Sequence, residues 1–297
     1  MNIAILPPTD DWIFKLIFGE ERNKTILVNF LQAFVDLPDE EFELIFLDTH
    51  LKPEADDDKL GILDVKVRTK TGKIIDIEIQ VNAVRNMGRR LSFYKSKLIV
   101  EQIGKAEHYD KIQRVICICI ATRPLFPGTP EYLNRFRFRN EANNLCFEDI
   151  PEEIYTLELS KAPESSDGSA GWDWMRFFLS RSKEEFEMVA ERNPEIRKAV
   201  DNLYELSSSD ETRAQYEMRL KAQRDYAWRL DSAFQDGTEA GIEIGVERGI
   251  GIGMERGIDV GVEKVAINAL AKGLPLELIR ELTGLDPETI AGLKTDL

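Results

Sequence analysis

The chain has 297 residues, 43% of them hydrophobic and 31% charged, the composition of a globular protein large enough for one big domain or two smaller ones. A formal net charge of −15 argues, taken as a whole, against a nucleic-acid binder, because phosphate contacts need Lys and Arg. The opening "MNIAILPPTDD" has no basic start and only a brief apolar run, so it is not read as a signal peptide, and "VICICIA" (115–121) is too short to span a membrane. Three cysteines without a spacing pattern, Cys117, Cys119 and Cys146, point to a reducing compartment, and the cytoplasm is the expected location.

In chain order, "DDWIFKLIFGEERNKTILVNFLQAFVDL" predicts two helices broken near Gly19, with apolar faces led by Phe14 and Phe18 and by Phe30 and Phe34. "EFELIFLDTHL" (41–51) alternates enough to predict a strand, followed by a polar loop around "PEADDDK". A β-hairpin is predicted over 62–81, then a helix from Met87 to Gly104, then the buried strand "KIQRVICICIA". "YLNRFRFRN" and "EEIYTLELSK" read as further strands. "APESSDGSAG" (162–171) is the linker candidate, and beyond it the chain turns helical. This order predicts an α/β core over 1–163, a helical region over 172–235, a Gly-repeat segment over 236–264 and a short helix-turn-helix-like tail over 265–297. In the repeat, glycines stand every fourth residue from Gly237 to Gly261, with an apolar residue after each from Gly241 on. Seven helical glycines would cost about 1 kcal/mol each relative to Ala. Either a close-packed helix pair compensates, making the chain a homo-oligomer, or the segment is a tether. The acidic last helix favours packing or dimerisation over DNA reading.

The charge is unevenly distributed. Residues 1–80 carry 9 basic and 17 acidic side chains, whereas 81–140 carry 12 basic against 4 acidic. The basic segment directly follows the hairpin "LDVKVRTKTGKIIDIEIQV" (63–81). There "KTG" fits a three-residue turn with Gly72 in the left-handed region. Centring the turn on Thr71 sets Asp64 opposite Glu78. Asp64, Lys66 and Arg68 then share a face with Asp76, Glu78 and Gln80, and Leu63, Val65, Val67, Ile75, Ile77, Ile79 and Val81 form an apolar wall behind them. Opposed carboxylates are destabilising unless a cation lies between them. Two carboxylates, a backbone carbonyl and waters suit Mg²⁺. The alternative is a solvated face whose acids are neutralised by Lys66 and Arg68.

An acid on one strand, a turn and Glu-x-Gln on the next resemble the PD-(D/E)XK nuclease core, and more closely its branch of PD-(D/E)XK nuclease family transposases, or recombination-promoting nucleases. "DDWIFKLIFG" is similar to that family's opening signature on Asp11, Phe14, Lys15, Phe18 and Gly19. "RRLSFYKSKLIVEQIGKAEHY" is similar to its helix on Arg90 and Tyr94, with Gly104 and Tyr109 beyond. The resemblance covers most of the chain and implies a mixed central sheet flanked by helices, with an all-α C-terminal region. It implies Asp64 and Glu78 as metal ligands with the Ile79 carbonyl a third, Mg²⁺ or Mn²⁺ as the ion, and DNA as the partner. Gln80 stands where the wider superfamily has Lys. Gln orients only through neutral hydrogen bonds, so Lys66 is the candidate for the missing charge. Asp11 would support the metal or simply cap its helix, and Asp76 would join the site or pair with Lys66. Arg89, Arg90, Lys95 and Lys97 are typed to hold phosphates, and Tyr94 to stack on a base or sugar; a helix face with Tyr94 in the core is the plain alternative.

These readings predict a metal-dependent DNA endonuclease acting in recombination, mobile-element activity or defence. The competing one, favoured by Gln80 and the net acidity, is a catalytically weak or inactive nuclease-like protein serving as a self-associating module. RNA stays open as a substrate, since nothing in the sequence reads a 2′-hydroxyl.

Overall fold

The structure is a computed structural model that describes residues 4–51, 63–80, 86–147 and 149–295. The predicted loop "PEADDDK" and Val81 of the apolar wall lie outside the described residues. The chain divides into two compact units, Met1–Glu217 and Met218–Leu297.

The first unit begins with α1 (Asp11–Phe18), whose N-terminus is capped by Asp10, the Oδ1 atom accepting from Trp12 N and Ile13 N at 3.1 and 3.2 Å. Gly19 ends it, and a Cβ there would meet the Lys15 carbonyl oxygen at 2.7 Å, so the position requires glycine. α2 (Lys24–Phe34) follows, then the short β1 (Ile45–Phe46). The hairpin is β2 (Val65–Arg68) and β3 (Ile74–Gln80), with the predicted register: Val65 faces Ile77 and Lys66 faces Asp76. Its turn closes through Gly72 N–H on the Thr69 carbonyl at 3.0 Å, with Gly72 at φ +97. α3 (Met87–Val100) leads to β4 (Val115–Ala121), β5 (Leu133–Phe136) and β6 (Glu152–Glu158). The sheet order is β1-β2-β3-β4-β6-β5, with β3, β4 and β6 mutually parallel and the other pairs antiparallel.

Several predicted elements are shorter than the sequence suggests, "YLNRFRFRN" forming a strand only over Leu133–Phe136. The strand expected over 41–51 is reduced to Ile45–Phe46, because Asp39–Phe42 coils into a 3-10 turn and carries Glu41 inward. There Glu41 accepts from Thr71 Oγ1 at 2.7 Å and pairs with Lys73, clamping the hairpin turn. The helix expected to reach Gly104 stops at Val100. Just past its end, the Gln102 side chain accepts from Gln113 N at 2.8 Å and donates to Gln113 O at 3.0 Å, tying the helix end to the approach to β4.

One face of the sheet is the apolar wall. Val65, Val67, Ile75, Ile77, Ile79, Ile116, Ile118 and Ile120 pack in one cluster with α1, α2 and the later helices α4 (Ala170–Leu179), α5 (Lys183–Ala190) and α6 (Pro194–Ser208). Phe14, Phe18, Phe30, Trp174, Phe177 and Phe178 are fully buried there and stack edge to face and in tilted pairs. Asn29 ties three helices, accepting from Trp174 Nε1 at 3.0 Å and from Asn193 Nδ2 at 2.9 Å. Helices on both sides of "APESSDGSAG" therefore share one core. α3 covers the opposite face, Leu98 against Val115 and Cys117 and Met87 and Leu91 against Cys119. Cys117 and Cys119 are buried there and Cys146 is exposed.

α7 runs Asp210–Ala271, so the Gly-repeat segment is helical throughout. In the second unit, a Cβ at any of the seven repeat glycines would meet nothing within 4 Å, and Ile242, Ile250 and Ile258 are exposed. α8 (Leu276–Thr283) and α9 (Pro287–Thr295) turn back at Gly273 and Gly284, both with positive φ, and close a small cluster of Ala266, Ala269, Ile279 and Ile290. Among the described residues no helix is long and apolar enough to cross a membrane.

Candidate active site

The β2–β3 register, carried one step past Val65, sets Asp64 beside Glu78, and side-chain hydrogen bonds fix them there. The Asp64 N–H donates to Glu78 Oε1 at 3.2 Å, and the Ile79 N–H donates to Asp64 Oδ2 at 2.9 Å. Both carboxylates are buried, Asp64 at 7% and Glu78 at 1% exposure. Burial and then the Asp64 charge push the Glu78 carboxyl up to about 7, against the opposing pull of Arg90. Burial also raises Asp64, with the Asp11 charge adding to the push and the Ile79 N–H and Lys15 resisting it.

Two cations reach the pair. Lys15 Nζ lies 3.0 Å from Asp64 Oδ1, and Arg90 Nη2 lies 3.0 Å from Glu78 Oε2. Arg90 also donates through Nη1 to Gln80 Oε1 at 3.2 Å and through Nε to Tyr94 Oη at 3.1 Å. A residue expected only to hold phosphates thus binds the carboxylate site itself and fixes Gln80. Tyr94 is half-buried against the α3 side of the core. Arg89 is exposed, and Lys97 is half-buried near the end of α3.

The remaining candidates sit elsewhere. Lys66 is buried beside Asp76 in the register, with Nζ 3.2 Å from Glu101 Oε2, so its charge is held away from the Asp64–Glu78 pair. Lys95 is buried and ion-paired with Glu152, with its ammonium 5.7 Å from the Phe138 ring centre. Asp11 is the first residue of α1 and accepts its neighbour Trp12 N–H at 2.8 Å, while Asp10 caps. Part of the basic segment is structural as well: Arg137 Nε lies 2.9 Å from the buried Glu153, and Arg135 Nη1 lies 2.9 Å from Asp36. Lys15, named in the sequence only as part of the opening signature, is the residue whose place at the acid pair sequence reasoning did not assign. Its signal is the four-residue spacing from Asp11, which sets both on one face of α1.

Asp76 is fully buried, and among the described residues no nitrogen or oxygen donor meets its carboxylate; the neighbouring Cys117 thiol is its weak partner. Burial, then Glu78 and Asp64, drive its carboxyl well above the usual range. Among the described residues no three or more His, Cys, Asp or Glu side chains gather at metal-binding distance. The donor set is therefore two carboxylates and backbone, beside a third buried acid and met by the two cations Lys15 and Arg90. That fits a hard dication that keeps several waters.

A mixed sheet flanked by helices, with an acid pair in its β2–β3 hairpin, defines the PD-(D/E)XK nuclease class. A sequence profile for PD-(D/E)XK nuclease family transposases matches residues 8–233, and the chain belongs to that family. No curated protein and no solved structure matches it significantly. The matched region ends before the first repeat glycine, Gly237.

Proposed function

We propose that the chain is a divalent-metal-dependent endonuclease that hydrolyses phosphodiester bonds in DNA, serving recombination, mobile-element activity or defence. The observation that carries this reading is the Asp64–Glu78 pair, buried, opposed across a hairpin and held by Lys15 and Arg90. Asp64, Glu78 and the Ile79 carbonyl would hold Mg²⁺ or Mn²⁺. When bound, such an ion supplies an activated water and offsets charge growing on the phosphate. The chain's own residues do the rest. Arg90 donates to both Glu78 and Gln80, leaving the Gln80 amide N–H groups to orient the attacking water. Arg89, exposed one residue away, meets a backbone phosphate without reading sequence. Self-association through α7 is the second part of the reading, supported by the exposed Ile242, Ile250 and Ile258 beside open glycine positions.

The test is cleavage of supercoiled plasmid with Mg²⁺ or Mn²⁺ by the full chain and by Asp64→Ala and Glu78→Ala. Cutting by the unsubstituted chain alone supports the nuclease. A folded chain that cuts nothing supports the assembly module instead.

A further inference from the structure

Building on the nuclease reading, we infer that Lys15 is a catalytic residue, the cation that contacts the scissile phosphate in the role left open by the neutral Gln80. Lys66, Lys95 and Arg90 are each held by partners of their own. Lys66 is 7% exposed and engaged by Glu101 on the Asp76 side of the hairpin. Lys95 is buried against Glu152. Arg90 is divided among Glu78, Gln80 and Tyr94, and its planar fork is fixed by those three partners. Lys15 alone of these four combines direct contact with Asp64 and an ammonium on a flexible stem, its side chain 31% exposed.

The placement is also the one such a role needs. Lys15 meets Oδ1 of Asp64, while Oδ2 accepts the Ile79 N–H, so the ammonium occupies the carboxylate oxygen left free for a metal. Were a dication held at Asp64, the Lys15 ammonium would leave Oδ1, and the non-bridging oxygens of a phosphate brought to the same site would offer it acceptors, with Asp11 one turn back on the same face of α1. An ammonium is a compact charge with three rotatable donors and can make that move, whereas a guanidinium fork is less free to. Its base does not move with it. Ile13, Phe14, Ile17 and Phe18 are all fully buried, Asp10 caps the helix, and Gly19 lets the next segment pass close to the Lys15 carbonyl.

In the step itself, the bond from water oxygen to phosphorus forms as the bond from phosphorus to the leaving oxygen breaks. The electron pair leaves with that oxygen, which takes a proton from solvent water, and the attacking water's proton also passes to solvent. Lys15 transfers no proton; it holds the charge growing on the non-bridging oxygen.

The experiment compares the full chain with Lys15→Met, Lys15→Arg and Asp64→Ala, reading plasmid cutting at saturating DNA and, without DNA, Mn²⁺ binding by calorimetry. Removing one preorganised donor to a developing oxyanion lowers turnover roughly 100-fold. The expected result is that loss for Lys15→Met, with Mn²⁺ bound at least as tightly because a competitor for Asp64 is gone, and no more than partial recovery in Lys15→Arg, whose fork is less free to turn from Asp64 to the phosphate. Lys15→Met cutting at the unsubstituted rate overturns the assignment and leaves the nuclease reading standing. Loss of cutting with an equal loss of Mn²⁺ affinity also overturns it, reducing Lys15 to a residue that positions Asp64. If the unsubstituted chain shows no Asp64-dependent cutting, the nuclease reading fails, and this role falls with it.

Discussion

At Glu78 the protein accepts an unfavourable charge environment. Its carboxyl, pushed up to about 7 by burial and by Asp64, holds a proton that the unfolded chain releases near 4.5. A raised acid pKa gives stability that is present at low pH and lost as pH rises through the folded value. In metal-free buffer the melting temperature should therefore fall as pH rises from about 4.5 to about 7, the raised Asp64 and Asp76 carboxyls acting in the same direction, and Glu78→Gln should reduce that slope. Glu41 does not interfere. Burial raises it, but hydrogen bonds from Lys73, Thr69 and Thr71 outweigh burial and hold it at about 2, outside the window. Arg90 is the second residue to test. Arg90→Ala leaves the buried Glu78 oxygen without its charged partner and should lower stability by about 1–3 kcal/mol in urea titrations. The carboxylate pair was legible in the sequence because strand alternation and turn length fix which residues meet. Lys15, Arg90 as a Glu78 partner and the burial of Lys66 were not. Each depends on a helix laid over the sheet, and periodicity within one segment does not reveal a contact with another.

At the scale of elements, the hairpin turn sets the site's register. Gly72 stands at φ +97, and a Cβ there would also press on Gln113 Cγ at 3.1 Å. Gly72→Ala should lower stability by about 1–2 kcal/mol, measured by chemical denaturation. If the register slips as well, cutting falls with it, since a one-residue slip turns every side chain to the other face. The sequence showed this turn, the buried strand "VICICIA" and the breaks at Gly19, Gly273 and Gly284, because glycine and alternating β-branched residues act locally. It misled at 41–51, where the alternating pattern coils because Glu41 finds Thr71 and Lys73 across the hairpin. Partners so remote in the chain leave no local mark.

Across the whole molecule, two features hold different kinds of information. The main apolar core of the first unit brings Trp174 of α4 to Phe18 and Phe30 of the first two helices. Trp174→Ala should cost about 3–5 kcal/mol and destabilise the sheet along with the helices, because they share that cluster. The second unit carries the glycine repeat on an exposed stretch of α7. If that stretch pairs with a second copy, Ile250→Asp with Ile258→Asp should shift the full chain to a smaller species in sedimentation and leave cutting per chain little changed. An unchanged sedimentation profile would assign the repeat to something other than self-association. If the buried acids of one hairpin hold a metal for phosphodiester hydrolysis, plasmid nicking with Mn²⁺ should be seen with the unsubstituted chain and with neither Asp64→Ala nor Glu78→Ala. Equal nicking by all three would contradict it.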